Sequence, residues 1–323
     1  MNQKIYACHG KAKRSTSCIV IAAILFFMSA PVYGEGRQQL KVLTSFLPIY
    51  IFTKNVVGER KGVELDSLLP DNAGPHDYQM RPSDMRKVAD ADIIIINGLG
   101  LESFAERILS EGRAKGIVFE TAKGLPLLAA ANDEGGEEEG GGHDHAGHHG
   151  HDGDFNPHSW VSPKMAVIQV QNIIEILAHA DPEGAGQYRE NGAIYIDKLT
   201  ALEGEMRDAL KGVSSRKIVT IHSAFDYLAR DLGLNLAGVI YHTPGEEPSA
   251  FQISALSRLI KEEGIKAIFS EPQFSDKMAR LLAKETGANI FLLDPVATGT
   301  FSLDYYEKAM RKNLNTLKKA LTN

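Results

Sequence analysis

The segment Asp92-Ile93-Ile94-Ile95-Ile96-Asn97 (DIIIIN) decides the fold class of this chain. Four consecutive β-branched residues favour a strand, and the run has none of the polar alternation of a strand with one solvated face. Such a strand is buried on both faces, which is typical of a parallel sheet covered by helices. The segment therefore predicts an α/β fold.

Strand and helix patterns alternate on both sides of this segment. Upstream, strand-like runs at 40–44 and 63–69 flank a helical pattern at 49–57. Downstream, a helix pattern at 102–110 precedes a strand at 116–120. Four further strands are predicted at 217–221, 234–240, 266–270 and 289–293. Helices separate these four strands at 224–232, 249–263 and 276–286, and a last helix follows at 304–321. Repeated β-then-α units at this spacing predict two lobes with mainly parallel sheets flanked by helices.

A long helical pattern separates the two sets of strands. An amphipathic helix at 163–180 ends at Asp181-Pro182, and a second helix then runs over about 29 residues (183–211), or roughly 43 Å. This pattern predicts an N-terminal lobe over 35–181, a linking helix over 182–212 and a C-terminal lobe over 213–323. Because the linking helix is long and continuous, we expect a small rocking motion of the lobes instead of a wide hinge.

The first 34 residues have the pattern of a secretory signal peptide. Basic residues within 11–14 precede an eleven-residue apolar run at 18–28, which is too short to span a bilayer as a helix. Small residues then place a cleavage site after Gly34. We interpret 1–34 as a cleavable signal and the short apolar run as evidence against an uncleaved anchor. The predicted location is the periplasm.

Composition sets further limits on function. The chain has 323 residues, of which 43% are hydrophobic, so its length predicts about two domains with ample core. Lys and Arg number 35 against 41 Asp and Glu, a net charge of −6, which disfavours nucleic-acid binding because that binding depends on phosphate neutralisation. Both cysteines, Cys8 and Cys18, fall within the predicted signal, so no disulfide is expected in the mature chain.

Polar residues with metal-binding chemistry lie just after predicted strands, where ligands bind in open α/β sheets. His222, Glu271 and Asp294 each follow a strand directly, whereas His76 lies in the loop after strand 63–69 and His158 precedes helix 163–180. Imidazole nitrogen and carboxylate oxygen without thiolate suit a borderline divalent ion such as Zn²⁺. Three histidines and one aspartate would fill a tetrahedral shell, which favours binding over catalysis, because a catalytic zinc keeps a position for water.

A His-rich tract lies between the two first-lobe histidines. Residues 132–154 consist almost entirely of glycine, acidic residues and histidine, which predicts a disordered loop. Because a disordered segment loses chain entropy when it binds, its sites should be weaker than a preformed one. We predict additional metal contacts from the five clustered histidines His143, His145, His148, His149 and His151.

Four motifs carry a resemblance to a known family. Residues 75–78 (PHDY), 156–160 (NPHSW), 222–227 (HSAFDY) and 293–295 (LDP) occur in the order found in metal-binding solute-binding proteins of bacterial ABC importers. The chain resembles the periplasmic zinc-uptake proteins (ZnuA-like) most closely, over essentially its whole length after the predicted signal. The resemblance implies two α/β lobes joined by a rigid helix, with the ion between them.

The resemblance also implies a ligand set and a partner. His76 and His158 would be the first-lobe ligands, His222 the third and Asp294 the fourth. Pro75 stands where some zinc members have an acidic residue, so Glu271 or a water is an alternative fourth ligand, ranked after Asp294. Related manganese binders usually have a carboxylate in place of His222, which favours Zn²⁺ as the cargo. The loaded protein, expected to be a monomer, would dock on an ABC transporter permease served by its ATPase.

Three other functions compete with zinc capture. The first, a manganese or iron binder, belongs to the same family. The second is a periplasmic zinc buffer or adhesin in which the His-rich loop does the work. The third is a zinc-dependent hydrolase, but the chain has no His-Glu-x-x-His pair, and Asp77 beside His76 is the nearest candidate base. We therefore predict a binding protein and no enzyme.

Overall fold

The computed structural model describes residues 39–76, 78–103, 115–130, 155–241 and 247–322. The predicted signal peptide at 1–34, the His-rich loop at 132–154 and most of the helix predicted at 102–110 lie outside these residues. Among the described helices, none combines the length and apolarity that crossing a membrane requires.

The N-terminal lobe is built on a parallel sheet with strand order β2-β1-β3-β4. Its described elements are β1 (Leu40–Thr44), α1 (Leu47–Val57), β2 (Val63–Ser67), α2 (Pro82–Asp90), β3 (Ile93–Ile96) and β4 (Ile117–Glu120). Strand β3 lies in the interior of this sheet and all four of its isoleucines are buried. The prediction of a parallel strand covered on both faces is confirmed.

Helix α2 is the one described N-lobe helix that the sequence pattern did not predict. Its residues are mostly polar, and only Asp84 and Val88 are buried. Pro82 begins the helix, where its missing N–H costs nothing, and the Asp84 carboxylate accepts the backbone N–H of Arg81 at 2.8 Å. The helix is therefore specified by its first turn and has no apolar stripe from which to predict it.

The C-terminal lobe repeats the arrangement, with parallel strand order β6-β5-β7-β8. Its elements are β5 (Lys217–Thr220), α5 (Asp226–Leu232), β6 (Asn235–Val239), α6 (Ala250–Glu262), β7 (Ala267–Ser270), α7 (Lys277–Thr286), β8 (Asn289–Leu292) and α8 (Tyr305–Thr322). Each predicted strand and helix of this lobe is present, with ends that differ by one or two residues. The structure thus has the two predicted α/β lobes with parallel sheets flanked by helices.

Two helices connect the sheets. Helix α3 (Pro163–Ala180) is followed by α4 (Ala185–Ala209), whose 25 residues correspond to roughly 38 Å. Helix α4 packs against α1 and α3 of the first lobe and against α8, which follows the last strand of the second lobe. Both lobes belong to one compact unit. The rocking motion and the lobe boundaries at 181 and 212 stay predictions.

Hydrogen bonds join the lobes directly around the cleft. The indole N–H of Trp160 donates to the carbonyl of Pro295 at 2.8 Å, and the Tyr306 hydroxyl donates to the carbonyl of Trp160 at 2.7 Å. The side chains of Trp160 and Tyr306 are both fully buried. The segment that carries His158 is therefore attached to the C-terminal part of the chain.

A partly buried ion pair stabilises the turn before α4. The Arg60 guanidinium donates to both carboxylate oxygens of Asp181, at 2.9 and 3.2 Å, and the Tyr188 hydroxyl donates to the same carboxylate at 2.8 Å. These contacts, with Arg60 contributing most, lower the pKa of Asp181 although its burial acts in the opposite direction. The pair connects the loop after α1 to the turn between α3 and α4.

We predict that Asp181→Asn lowers the free energy of unfolding by about 1.5–3 kcal/mol at neutral pH, the range for hydrogen bonds to charged groups. Because the native pKa is lowered, this stabilisation is present above the unfolded value of about 3.9 and is lost as pH falls through the native value. Urea unfolding of both proteins at neutral pH and at about pH 2.5 checks the change.

The control is Asp208→Asn, which removes an exposed i,i+3 pair with Lys211. It should change the free energy of unfolding little, because exposed ion pairs contribute little to stability. An Asp181→Asn effect of equal size at both pH values would contradict the assignment.

Candidate metal centre

Three histidines from separate segments meet in the cleft. His76 lies in the loop between β2 and α2, His158 precedes the 3₁₀ turn Ser159–Val161 at the start of α3, and His222 follows β5. His158 and His222 are buried, at 4% and 3% exposure, and His76 is half-buried. One ring nitrogen from each lies within 4.8 Å of the other two.

The rings surround a common point. Their centroids are 5.1 Å apart for His76 and His158, 5.6 Å for His76 and His222, and 4.9 Å for His158 and His222. The Nε2 atoms of His76 and His158 are 2.9 Å apart. After small shifts, all three rings can bind a single cation at the usual distance of about 2.0–2.1 Å from imidazole nitrogen.

Hydrogen bonds at Nδ1 fix the orientation of the two buried rings. The Asn156 amide oxygen lies 2.9 Å from His158 Nδ1, and Glu271 Oε1 lies 2.7 Å from His222 Nδ1. Both partner oxygens accept hydrogen bonds, so each Nδ1 is the donor and Nε2 is the nitrogen left for a metal ion. His222 Nε2 is buried and has no hydrogen-bond partner. Both rings thus present a metal-binding nitrogen to the cleft.

The electrostatic surroundings keep His158 neutral. Burial lowers the pKa of His158 well below its usual value, and the proximity of His222 and His76 lowers it further. Only a neutral imidazole binds a metal ion. His158 is therefore ready to coordinate without first losing a proton.

A polar network supports the His158 segment. The Asn97 side-chain amide donates to the carbonyl of Pro157 at 2.9 Å, and its oxygen accepts Gln169 Nε2 at 2.9 Å. The Glu102 carboxylate accepts the backbone N–H groups of Asn97 and Gly98 at 2.7 and 3.0 Å. Sequence reasoning did not assign this role to Asn97, although a polar residue directly after the buried β3 strand was the available signal.

The predicted carboxylates are not part of the cluster of three ring nitrogens, although Glu271 contacts His222 through Nδ1. Asp294 Oδ1 accepts the N–H of Val296 at 2.8 Å, which forms a tight turn after β8. Neither Asp294 nor Glu271 belongs to the group of mutually close ligand atoms among the described residues. Asp294 as fourth ligand remains a prediction. The histidines of the His-rich loop (143–151) and Asp77 lie outside the described residues.

A cavity of about 360 Å³ opens beside the histidines. All three rings line it, together with Trp160 and Phe274. At about 30 Å³ for each water, the cavity can admit an ion with part of its hydration shell. The arrangement is suited to binding a small cation at the inner wall of the cleft.

Comparisons with known proteins show which family the chain resembles. Residues 42–320 match the family described as zinc-uptake complex component A, periplasmic. The chain is 36% identical to the zinc-binding protein AdcA of Streptococcus pyogenes over 89% of this chain and 56% of that protein. It is also 34% identical to the high-affinity zinc uptake system protein ZnuA of Bacillus subtilis, over 96% of this chain and 98% of that protein.

A solved structure has the same fold. The solute-binding protein FpvC of Pseudomonas aeruginosa in complex with Mn²⁺ is 29% identical, with a TM-score of 0.75 over 88% of this chain and 98% of that one. The present chain spans little more than half the length of the streptococcal relatives, 56% of AdcA.

We predict that the free energy of unfolding decreases as pH rises because of Glu102. Burial raises the pKa of Glu102 to about 7, although the two backbone N–H groups favour its charged form. The unfolded value is about 4.3, so the native state binds more protons and loses stability as pH rises between these values. Urea unfolding across this window should show that Glu102→Gln removes that decrease.

The matched control is Glu120→Gln, at the exposed end of β4. The unfolding free energy of Glu120→Gln should fall with rising pH as that of the wild type does. A Glu102→Gln variant whose unfolding free energy follows the wild-type pH dependence would contradict this role.

Proposed function

Because the chain belongs to the periplasmic zinc-uptake component A family, we propose that it captures Zn²⁺ in its cleft and delivers the ion to an ABC importer. The observation that carries the proposal is the convergence of His76, His158 and His222 on one point. Nothing in their local sequence requires three histidines spread over 146 residues of the chain to share a cleft. A common ligand explains their meeting.

The three histidines are the proposed ligands. His76 and His158 come from the N-terminal lobe and His222 from the C-terminal lobe, so the bound ion connects the lobes. Asp294 is the proposed fourth ligand: only its Oδ1 is engaged by Val296, which leaves Oδ2 for the ion after a movement of the turn. A water takes this position if the turn does not move.

Zinc is the proposed cargo. Three neutral nitrogen ligands suit Zn²⁺ better than Mn²⁺, which prefers oxygen. The relatives named for zinc, AdcA and ZnuA, support the same choice. With Asp294 in the fourth position, no site remains for a nucleophilic water, so the proposed role is transport and not catalysis.

The proposed location is the periplasm, and the proposed partner is an ABC transporter. The family and its relatives support a periplasmic protein that serves an ABC permease and its ATPase. Residues 1–34 would direct export, and the chain would act as a monomer. The His-rich tract at 132–154 would add weaker sites that concentrate zinc near the cleft.

We predict that removing any one of the three imidazoles weakens zinc binding strongly. Each single variant, His76→Ala, His158→Ala and His222→Ala, should raise the Kd for Zn²⁺ by at least about 100-fold, more than the loss of an outer partner costs. Calorimetric titration of metal-stripped protein with a competing chelator measures this. His179→Ala, on the exposed side of α3, is the control and should bind as wild type does. Wild-type affinity in His222→Ala would contradict the cleft site.

We predict that high-affinity binding survives deletion of residues 132–153. The deleted protein should lose only weaker sites, because the ordered imidazoles carry the tight one. Elemental analysis after exposure to equal Zn²⁺ and Mn²⁺ should find zinc in about one equivalent and little manganese. Loss of the tight site with the loop would favour a zinc buffer, and retained manganese would favour the manganese binder.

A further inference from the structure

The two buried imidazoles rest on chemically different partners. His158 donates its Nδ1–H to the neutral amide of Asn156 at 2.9 Å, whereas His222 donates to the carboxylate of Glu271 at 2.7 Å. A carboxylate partner raises the basicity of an imidazole ligand more than an amide does. The C-terminal lobe therefore presents the stronger donor.

Glu271 is deeply buried and incompletely bonded. Its exposure is 2%, its Oε1 contacts His222, and its Oε2 has no hydrogen-bond partner. A buried carboxylate is costly without a compensating charge or full hydrogen bonding. His222 offers this carboxylate one hydrogen bond and Oε2 has none, so Glu271 is a buried carboxylate that is incompletely hydrogen-bonded.

Glu271 is also the only acidic residue among the described residues that line the cavity. Asp226 is a second carboxylate near His222, but it does not line the cavity. A divalent ion held by neutral imidazoles brings two positive charges into a largely buried site. Glu271 places a carboxylate in direct contact with one of the proposed ligand rings.

Geometry separates Glu271 from the ligands themselves. In an imidazole ring the Nδ1 and Nε2 lone-pair directions point away from each other. A carboxylate bonded to Nδ1 therefore lies on the far side of the ring from an ion bound to Nε2.

We propose that Glu271 is a positioning residue that strengthens metal binding through His222 by its negative charge, without coordinating the ion. This inference rests on the proposed zinc function. It differs from a purely steric role, because an uncharged residue of the same shape should not replace Glu271. It also differs from the role of a fourth ligand, because the metal coordination should not change when the charge is removed.

The test uses Glu271→Gln, which keeps the shape and one acceptor oxygen but removes the charge. Its Kd for Zn²⁺, measured with a competing chromophoric chelator, should rise by about 10–100-fold, the range for loss of an outer partner. Glu271→Asp keeps the charge and should bind more tightly than Glu271→Gln. Glu263→Gln, which removes a charge paired with Lys217 in the same lobe, is the matched control and should stay within about twofold of wild type.

Substitution of Co²⁺ for zinc provides a second readout. At saturating Co²⁺ the visible absorption bands of Glu271→Gln should keep the wild-type position and intensity, because the coordinating atoms are the same. A Glu271→Gln Kd within about twofold of wild type would overturn the charge effect. A changed cobalt spectrum would make Glu271 a ligand and overturn the positioning role.

The wild-type titration in the same series separates the two proposals. If the wild type binds zinc tightly and Glu271→Gln binds equally well, only this inference fails. If the wild type itself binds no zinc, the proposed function fails.

Discussion

The structure depends on the approach of three imidazoles whose metal-binding nitrogens face one another. His76 and His158 bring their Nε2 atoms to 2.9 Å, and His222 Nε2 is buried without a partner. Since the Nδ1 atoms of His158 and His222 already bond to Asn156 and Glu271, the Nε2 atoms are the nitrogens that these two rings offer to a cation. A divalent ion can bind one nitrogen from each of the three rings.

The architecture explains how distant residues reach this point. Parallel sheets align the carboxyl ends of their strands, so the loops after β2 and β5 open toward the same cleft. Helix α4 separates the sheets, and the Trp160 and Tyr306 hydrogen bonds attach the His158 segment to the C-terminal part of the chain. The candidate ion site thus lies where the lobes are already in contact.

Much of the fold and of the site could be predicted from sequence. The isoleucine run of β3 and the β-then-α spacing indicated two parallel-sheet lobes, and residue type with strand position indicated the three histidines. Helix α2 was missed because it buries almost no apolar surface. The role of Asn156 and the position of Glu271 behind His222 depend on side-chain directions that spacing does not encode. The same holds for Asp294, whose carboxylate engages Val296.

The most direct test is a crystal structure of the zinc-loaded protein with anomalous data at the zinc edge. We expect one strong peak within about 2.0–2.1 Å of a ring nitrogen of each of His76, His158 and His222, with Glu271 still bonded to His222 Nδ1. A zinc peak held by fewer than two of these rings, or located outside the cleft, would contradict the proposed site.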